Sequence, residues 1–395
     1  MADETLIELE PDRLGPRGDA AARDADGKPI YVAGAIPGER VLARVYKTGH
    51  VCTGTDVVEV LRPSPHRVTP PCPLFGHCNG CQLQHVDYAH QLVLKRSLVA
   101  EALREIGGFV DPPLGDVLPA PSPWHYRNHA RFTVKHGRLG FVRRQRRAFF
   151  EVPTCLLMEP RIDALLQSLQ GRLHETTQCN IRVGAAPTSI SIQPRLSLEQ
   201  PASGQPYVVE SLGGREFRVS TPAFFQVHRA QAERMAALVC DAVTAIDARV
   251  AVDAFAGVGT FAALLAASVE VVIAIEESGP AVRDAAFNFG GLSNVVLRLG
   301  KAELVLPALV AEGFAIDAVI LDPPRSGCLP ASLDAVIALA PRRVVYVSCD
   351  PSSLARDLRV LCDHGYVLAQ VQPLDMFPHT AHVESIAILD TRARG

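Results

Sequence analysis

A cysteine at the end of a hydrophobic run is the first candidate for chemistry. Residues 344–353 read Val-Val-Tyr-Val-Ser-Cys-Asp-Pro-Ser-Ser, an apolar β-branched stretch that stops at Ser348, Cys349, Asp350 and Pro351. Such a run fits a buried strand, and Pro351 fits the first turn of a helix with Asp350 as its N-cap. Cys349 is then expected at the carboxyl rim of a sheet and at a helix N-terminus. The partial positive charge there favours a thiolate, and the adjacent Asp350 opposes that shift. A second run, residues 317–321, ends in Asp322-Pro323-Pro324-Arg325. In an open α/β sheet both loops open on the crevice where ligands bind. A nucleophile facing an acidic Pro-Pro loop points to covalent catalysis.

Residues 251–265 read as a strand, a tight glycine turn and a helix. Gly257 and Gly259 let the backbone approach a ligand with no Cβ in the way. Glu276, at the end of a Val/Ile run, stands where a carboxylate takes two ribose hydroxyls. Gly257-x-Gly259-x-x-Ala262 also satisfies the dinucleotide fingerprint, so by itself the turn fits a nicotinamide cofactor or S-adenosylmethionine equally. The other loops separate the two. Hydride transfer has no use for a thiolate at the rim, whereas methyl transfer to an unreactive carbon does. Glu384 begins the last predicted strand. An antiparallel strand starts at the rim where parallel strands end, which would bring Glu384 to Cys349 as a general base.

Cys72-x5-Cys78-x2-Cys81 has the spacing of metal ligands, with Gly76 and Gly80 supplying turns, and Cys155 is the expected fourth donor. Four thiolates suit either structural zinc or a four-iron cluster, and spacing leaves both open. Cys52, Cys179, Cys240, Cys328 and Cys362 lack such context and read as buried or incidental. His379-x-x-His382 lacks the Glu of the zincin helix and sits in a Pro-containing loop, so it reads as non-metal.

The elements that must position these groups divide the chain into three. A length of 395 residues exceeds one domain, and 48% apolar with 21% charged residues is ordinary for a globular protein. Residues 1–62 alternate short apolar runs with Gly and Pro turns, as a small β-barrel does. Residues 63–215 hold the cysteines, an amphipathic helix over 87–106 with Ala89, Leu92, Val93, Val99, Ala100, Leu103 and Ile106 near helical spacing, and a strand-rich remainder. Residues 216–395 alternate strands and helices as in a doubly wound parallel sheet, and end in two strands with antiparallel character.

Net charge is −3, which alone makes no case for nucleic acid, but its distribution does. Residues 117–150 contain no Asp or Glu and eight basic residues: Arg127, Arg131, Lys135, Arg138, Arg143, Arg144, Arg146 and Arg147. Trp124, Tyr126, Phe132 and Phe141 are interleaved with them. Cations with stacking surfaces suit a phosphate backbone with splayed bases. The acidic N-terminus does not read as a signal peptide, and no uncharged apolar run reaches the roughly 18 residues of a membrane span. A cytoplasmic location, no membrane partner and a monomer are expected.

Taken together these segments resemble the RNA uracil-5-methyltransferase family, in particular its iron–sulfur branch acting on 23S ribosomal RNA. The resemblance covers essentially the whole chain. It rests on residues 34–41 (Gly-Ala-Ile-Pro-Gly-Glu-Arg-Val), the three cysteines followed by Gln84-His85, residues 224–227 (Phe-Phe-Gln-Val) and the glycine turn. Residues 322–327, Ser348-Cys349-Asp350-Pro351 and residues 376–384 (Met-Phe-Pro-His-Thr-Ala-His-Val-Glu) complete it. It implies a TRAM/OB-like barrel, a central α+β domain with a four-cysteine site, and a class I, Rossmann-like S-adenosylmethionine methyltransferase domain. Gln226, Phe255, Glu276 and Asp322, with Thr260 and Glu303, fall in its cofactor set. Cys349 matches its nucleophile and Glu384 its proton acceptor. Cys72, Cys78, Cys81 and Cys155 match its [4Fe-4S] ligands, which favours iron over zinc.

The implied reaction is 5-methyluridine formation in 23S rRNA through an adduct between the cysteine and carbon 6 of the base. Transfer RNA methylated at the same atom is the alternative enzyme, and a non-catalytic, metal-containing RNA-binding protein the alternative of another class. The chain departs from the family pattern at His228 and Thr260, which replace Asn, at Asn79, which replaces Gly, and at His379. That last residue replaces Gln and is expected to alter RNA contacts.

Overall fold

In a computed structural model of the chain, residues 5–143 and 148–392 are described. The first six strands are β1 (Leu6–Leu9), β2 (Arg13–Leu14), β3 (Ala20–Arg23), β4 (Pro29–Ala33), β5 (Arg40–Thr48) and β6 (Thr53–Arg62). They form one sheet in the order β1-β5-β6-β4-β3-β2, around a small core of Ala20, Ile30, Val32, Val41 and Ala43. A barrel is the expectation from sequence; among the described residues the hydrogen bonding links the six strands in that order, from β1 to β2.

Helix α1 (Tyr88–Glu105) follows, capped by Asp87, whose side chain accepts from the His90 N–H. Its buried face is Gln91, Leu94, Lys95, Val99, Ala102 and Leu103. The expected face includes Ala89, Leu92 and Val93; Ala89 and Val93 are exposed instead, and two polar residues point inward. The reason lies at the site, below.

Strands β7 (His129–Lys135), β8 (Arg138–Val142) and β9 (Phe149–Glu151), helix α2 (Pro160–Leu169), and strands β10 (Gln178–Val183) and β11 (Ile190–Gln193) make a second unit. Its antiparallel sheet, ordered β11-β10-β7-β8-β9, packs Phe132, Leu139 and Ile181 against Ile162, Leu166 and Leu169 of α2. The hairpin of β12 (Tyr207–Leu212) and β13 (Arg215–Ser220) leads into the last unit.

That unit runs α3 (Arg229–Thr244), β14 (Val250–Asp253), α4 (Thr260–Leu265), β15 (Val271–Glu276), α5 (Gly279–Asn288), β16 (Val295–Leu299), α6 (Ala302–Ala311), β17 (Ala318–Leu321), α7 (Pro330–Leu339), β18 (Arg343–Ser348), α8 (Pro351–Asp363), β19 (Tyr366–Leu374) and β20 (Glu384–Thr391). The sheet order is β16-β15-β14-β17-β18-β20-β19. Strands β14 to β18 are parallel, while β20 lies antiparallel between β18 and β19. Successive residues of each central strand enter two different cores: Val345 and Val347 pack with α3 and α4, Val344 and Tyr346 with α1, α7 and α8. Burial on both faces explains why these strands read as continuous apolar runs. The chain winds one way through β15 and β16 and the other through β17 and β18. The reversal, between β14 and β17, is where such sheets open a ligand crevice. Among the described residues no helix is long and apolar enough to cross a membrane.

Candidate active site at the carboxyl edge of the sheet

Three carboxylates end three neighbouring strands at that reversal: Asp253 on β14, Glu276 on β15 and Asp322 just after β17. Glu276 ties down the glycine turn, with its Oε2 accepting from Gly257 N at 2.8 Å and its Oε1 from Ser278 N at 2.7 Å. Both turn glycines are left-handed, at φ +57° and +89°. They serve different ends. A Cβ on Gly259 would lie 2.4 Å from the Phe289 ring, whereas one on Gly257 would meet nothing within 4 Å. Gly257 therefore presents bare backbone to open space.

Asp253 is fully buried; its Oδ2 accepts from Ala262 N at 3.2 Å and its Oδ1 has no partner. Burial, then the neighbouring Asp322, pushes the Asp253 carboxyl up to about 7. Burial also raises Asp322 to about 7. Gln226 holds Asn128 Nδ2 on its backbone oxygen, and its Oε1 is buried without a partner. Phe255 packs on the second core, Thr260 opens α4, and Glu303 lies in the first turn of α6 beyond β16. Orphaned buried oxygens, an acidic rim and an open glycine turn fit a cationic, ribose-bearing ligand such as S-adenosylmethionine. Asp253 was not singled out from sequence, although it ends the same strand that feeds the turn.

Cys349 sits where the sequence placed it. β18 stops at Ser348, Pro351 starts α8, and the Asp350 carboxylate accepts from the N–H groups of Ser352 and Ser353 at 3.1 and 3.0 Å. The β18–β20 register pairs Ser348 with Ser385, so Cys349 and Glu384 come next to each other at the rim. Cys349, Asp350, Arg325, His382 and Pro16 line a small cavity of about 50 Å³. The Arg325 guanidinium donates to His382 Nδ1 at 3.1 Å.

The helix N-terminus does not act alone on this thiol. Burial, then Glu384, pushes the Cys349 thiol up to about 11, and Arg325 only partly opposes this. A helix terminus contributes about 0.3–1 kcal/mol, too little to outweigh desolvation. Glu384 is itself buried, and burial followed by Asp322 holds its carboxyl well above the usual range. Both groups are therefore shifted toward their protonated forms.

The segment that delivers Glu384, residues 375–383, is held by α1. Lys95 and Asp375 form a fully buried ion pair at 2.5 Å, and Lys95 Nζ also donates to Phe377 O at 2.9 Å. Gln91 Nε2 donates to His379 Nδ1 at 3.1 Å, while its Oε1 accepts from His379 N at 3.0 Å. Tyr126 OH donates to Pro378 O, and the Trp124 and His379 rings stack at 3.7 Å. The N–H groups of Gln82 and Leu83 both end on His379 O. His379 is thus buried rather than presented to RNA. His228, in the place of Asn, caps α3 by accepting from Gln231 N with its Nδ1.

Removing one partner of a buried pair leaves an uncompensated charge. Lys95→Met should cost about 3–5 kcal/mol, and combining it with Asp375→Leu should recover most of the loss. Urea midpoints of the two variants check this.

The four expected metal ligands line a single cavity of about 390 Å³, together with Phe141, Val152 and Met158. Gly80 N donates to Cys78 Sγ and Gln84 Nε2 to Cys81 Sγ. Burial raises Cys81 to about 12 and Cys155 to about 11. Among the described residues no three Cys, His, Asp or Glu side chains are gathered closely enough to hold a single metal ion. Cys179, Cys328 and Cys362 are buried, and Cys52 and Cys240 half-buried.

The basic segment is only partly as expected. Arg144, Arg146 and Arg147 lie outside the described residues. Arg131 is exposed, but Arg138 pairs with Glu151. The interleaved aromatics are engaged internally: Phe132 stacks on Phe141, Tyr126 on His228, and Trp124 on His379.

A switched α/β sheet with a glycine turn after its first strand, acidic strand ends and a cysteine at the rim defines a methyltransferase-type domain. The sequence profile of the tRNA (uracil-5-)-methyltransferase family matches residues 189–392. An uncharacterized RNA methyltransferase of Thermosynechococcus vestitus is 33% identical over 98% of both chains. One of Gloeobacter violaceus is 32% identical over 95% of this chain and 94% of its own. The fold matches Pyrococcus abyssi tRNA (uracil-54, C5)-methyltransferase, solved with S-adenosyl-L-homocysteine, at a TM-score of 0.76 and 22% identity. That match covers 97% of this chain and 100% of the other. The chain belongs to the tRNA (uracil-5-)-methyltransferase family, and is an S-adenosylmethionine-dependent RNA methyltransferase.

Proposed function

We propose that the chain methylates carbon 5 of a uridine in 23S rRNA through a covalent intermediate on Cys349. The juxtaposition of Cys349 and Glu384 across β18 and β20, at the same edge of the sheet as the acidic strand ends and with Cys349 lining a cavity, carries this reading. Carbon 5 of uracil is too poor a nucleophile to attack a sulfonium methyl unaided. Loss of the Cys349 thiol proton to solvent gives a thiolate, whose addition to carbon 6 moves the ring π electrons onto the carbonyl oxygen and makes carbon 5 nucleophilic. S-adenosylmethionine, when bound, supplies the electrophilic methyl group. Glu384 then takes the carbon 5 proton; the electrons re-form the 5,6 double bond and expel the sulfur as thiolate. Arg325, which opposes the upward shift of both groups, favours the anionic forms that these steps need.

Gln226, Phe255, Gly257, Gly259, Thr260, Glu276, Glu303 and Asp322 form the cofactor set in this reading, with Asp253 added. Residues 1–62 serve as a TRAM-like RNA-binding domain, 63–215 as the central domain and 216–395 as the catalytic domain. Cys72, Cys78, Cys81 and Cys155 hold a [4Fe-4S] cluster. A tetrahedral zinc site draws its sulfurs to about 3.8 Å from one another, given Zn–S bonds near 2.3 Å. Four thiols set around a cavity suit a larger, four-iron group better. Anaerobically purified protein should be brown and contain iron and acid-labile sulfide, both lost in Cys81→Ser; zinc with no sulfide would overturn the cluster.

Transfer RNA is the second reading, favoured by the full-length fold match to the P. abyssi enzyme. Incubation with labelled S-adenosylmethionine and purified rRNA or tRNA, followed by mass mapping, decides between them. Label as 5-methyluridine in rRNA is expected. Label only in tRNA selects the second reading, and label in neither ends both.

A further inference from the structure

The cavity in front of Cys349 is not built by the catalytic sheet alone. Pro16, in the turn between β2 and β3, lines it together with Leu98 and Ala102 of α1. That turn is firmly placed. Gly15 N donates to Asp19 O at 2.8 Å and Gly18 N to Gly15 O at 2.9 Å. Leu14 is buried with Ile36, Leu83 and Leu94, and Arg13 meets Glu101 of α1 at 3.4 Å. Gly18, at φ +85°, leaves no room for a side chain. A Cβ there would lie 2.7 Å from the Cβ of Gln82 and 3.0 Å from that of Ala381. The turn therefore packs on the segment after Cys81 and on the loop that leads to Glu384. Beside Pro16, Arg17 is exposed and has no hydrogen-bond or ion-pair partner among the described residues.

We infer that the β2–β3 turn is a wall of the target-nucleotide pocket, in which Pro16 bounds the space before the Cys349 sulfur and Arg17 takes an RNA phosphate flanking the extruded uridine. An extruded base brings its sugar and flanking phosphates to the pocket mouth. A rigid apolar ring suits the sugar and base, and an uncommitted guanidinium suits the anion. In this arrangement the N-terminal sheet is part of the active site as well as an RNA anchor. The ligand rests on the function proposed above; the place of the turn does not.

Two measurements on the full chain separate these. Alkylation of Cys349 by N-ethylmaleimide, followed on its own peptide by mass spectrometry, needs no RNA. Pro16→Trp should slow it by about tenfold and Pro16→Gly should speed it, because access sets the rate for a given thiol. Equal rates in all three proteins would remove the turn from the pocket. Arg17→Ala should raise KM for rRNA by about tenfold with kcat nearly unchanged, and flatten the salt dependence of binding to a labelled single-stranded RNA by about one in slope. An unchanged KM and slope would remove the phosphate contact. A wild-type protein that methylates no RNA sinks the proposed function, while the alkylation rates still decide the wall.

Discussion

Cys349→Ala is expected to lower methyl transfer by at least about 10⁴-fold while leaving S-adenosylmethionine affinity unchanged, as loss of a covalent nucleophile does. The two effects separate because the sheet separates them. The glycine turn follows β14, Cys349 follows β18, and β17 lies between. Label incorporation into RNA measures the first, and titration calorimetry with the cofactor the second. A variant that methylates at the wild-type rate would rule out the covalent route. The pH dependence follows from the same thiol. It is pushed up to about 11, so in the free enzyme the reactive thiolate is scarce at neutrality. Its fraction, and with it kcat/KM for RNA, should rise about tenfold per pH unit between about 6 and 9 wherever free-enzyme ionisation limits the rate. A flat profile across that range would show that the thiolate is already formed in the free protein.

The chemistry of this site was more legible in the sequence than the scaffold that aims it. Cys349, its Asp350 cap and the start of β20 at Glu384 all follow from local rules: a β-branched run, a capping residue before Pro, a strand beginning at a rim. The glycine turn was equally local. Lys95 and Gln91 were missed because an apolar pattern selects a helix face by hydrophobicity. Here the buried face is set by partners 280 and 288 residues away, Asp375 and His379. Trp124, Tyr126 and Phe132 were read as stacking surfaces because sequence spacing does not reveal which faces of a ring are already covered. The full set of influences on the Cys349 thiol was out of reach for a similar reason. The helix N-terminus is visible in sequence, but the burial and the nearby carboxyl that outweigh it exist only in the fold. Pro16 lies far along the chain from Cys349, and nothing in either segment announces the other.

Glu384→Gln is expected to stall the reaction after methyl transfer and to accumulate a covalent RNA–protein adduct. The amide cannot accept the carbon 5 proton, so the 5,6 double bond does not re-form and the sulfur is not expelled. The substitution is otherwise mild. Glutamine has nearly the shape of glutamate, and burial and Asp322 hold the Glu384 carboxyl well above its usual range. Burial and Asp322 already disfavour a charge here, so an amide in its place should leave the melting temperature close to that of the wild type. This contrasts with Lys95→Met, where Asp375 of the loop loses its ion-pair partner on α1. Denaturing gels after incubation with RNA and cofactor should show a slowly migrating, nuclease-sensitive band that is absent in Cys349→Ala. If the gel shows only free protein while turnover continues, the proton goes elsewhere, and Asp322, the other raised carboxyl that acts on both Cys349 and Glu384, is the next group to replace.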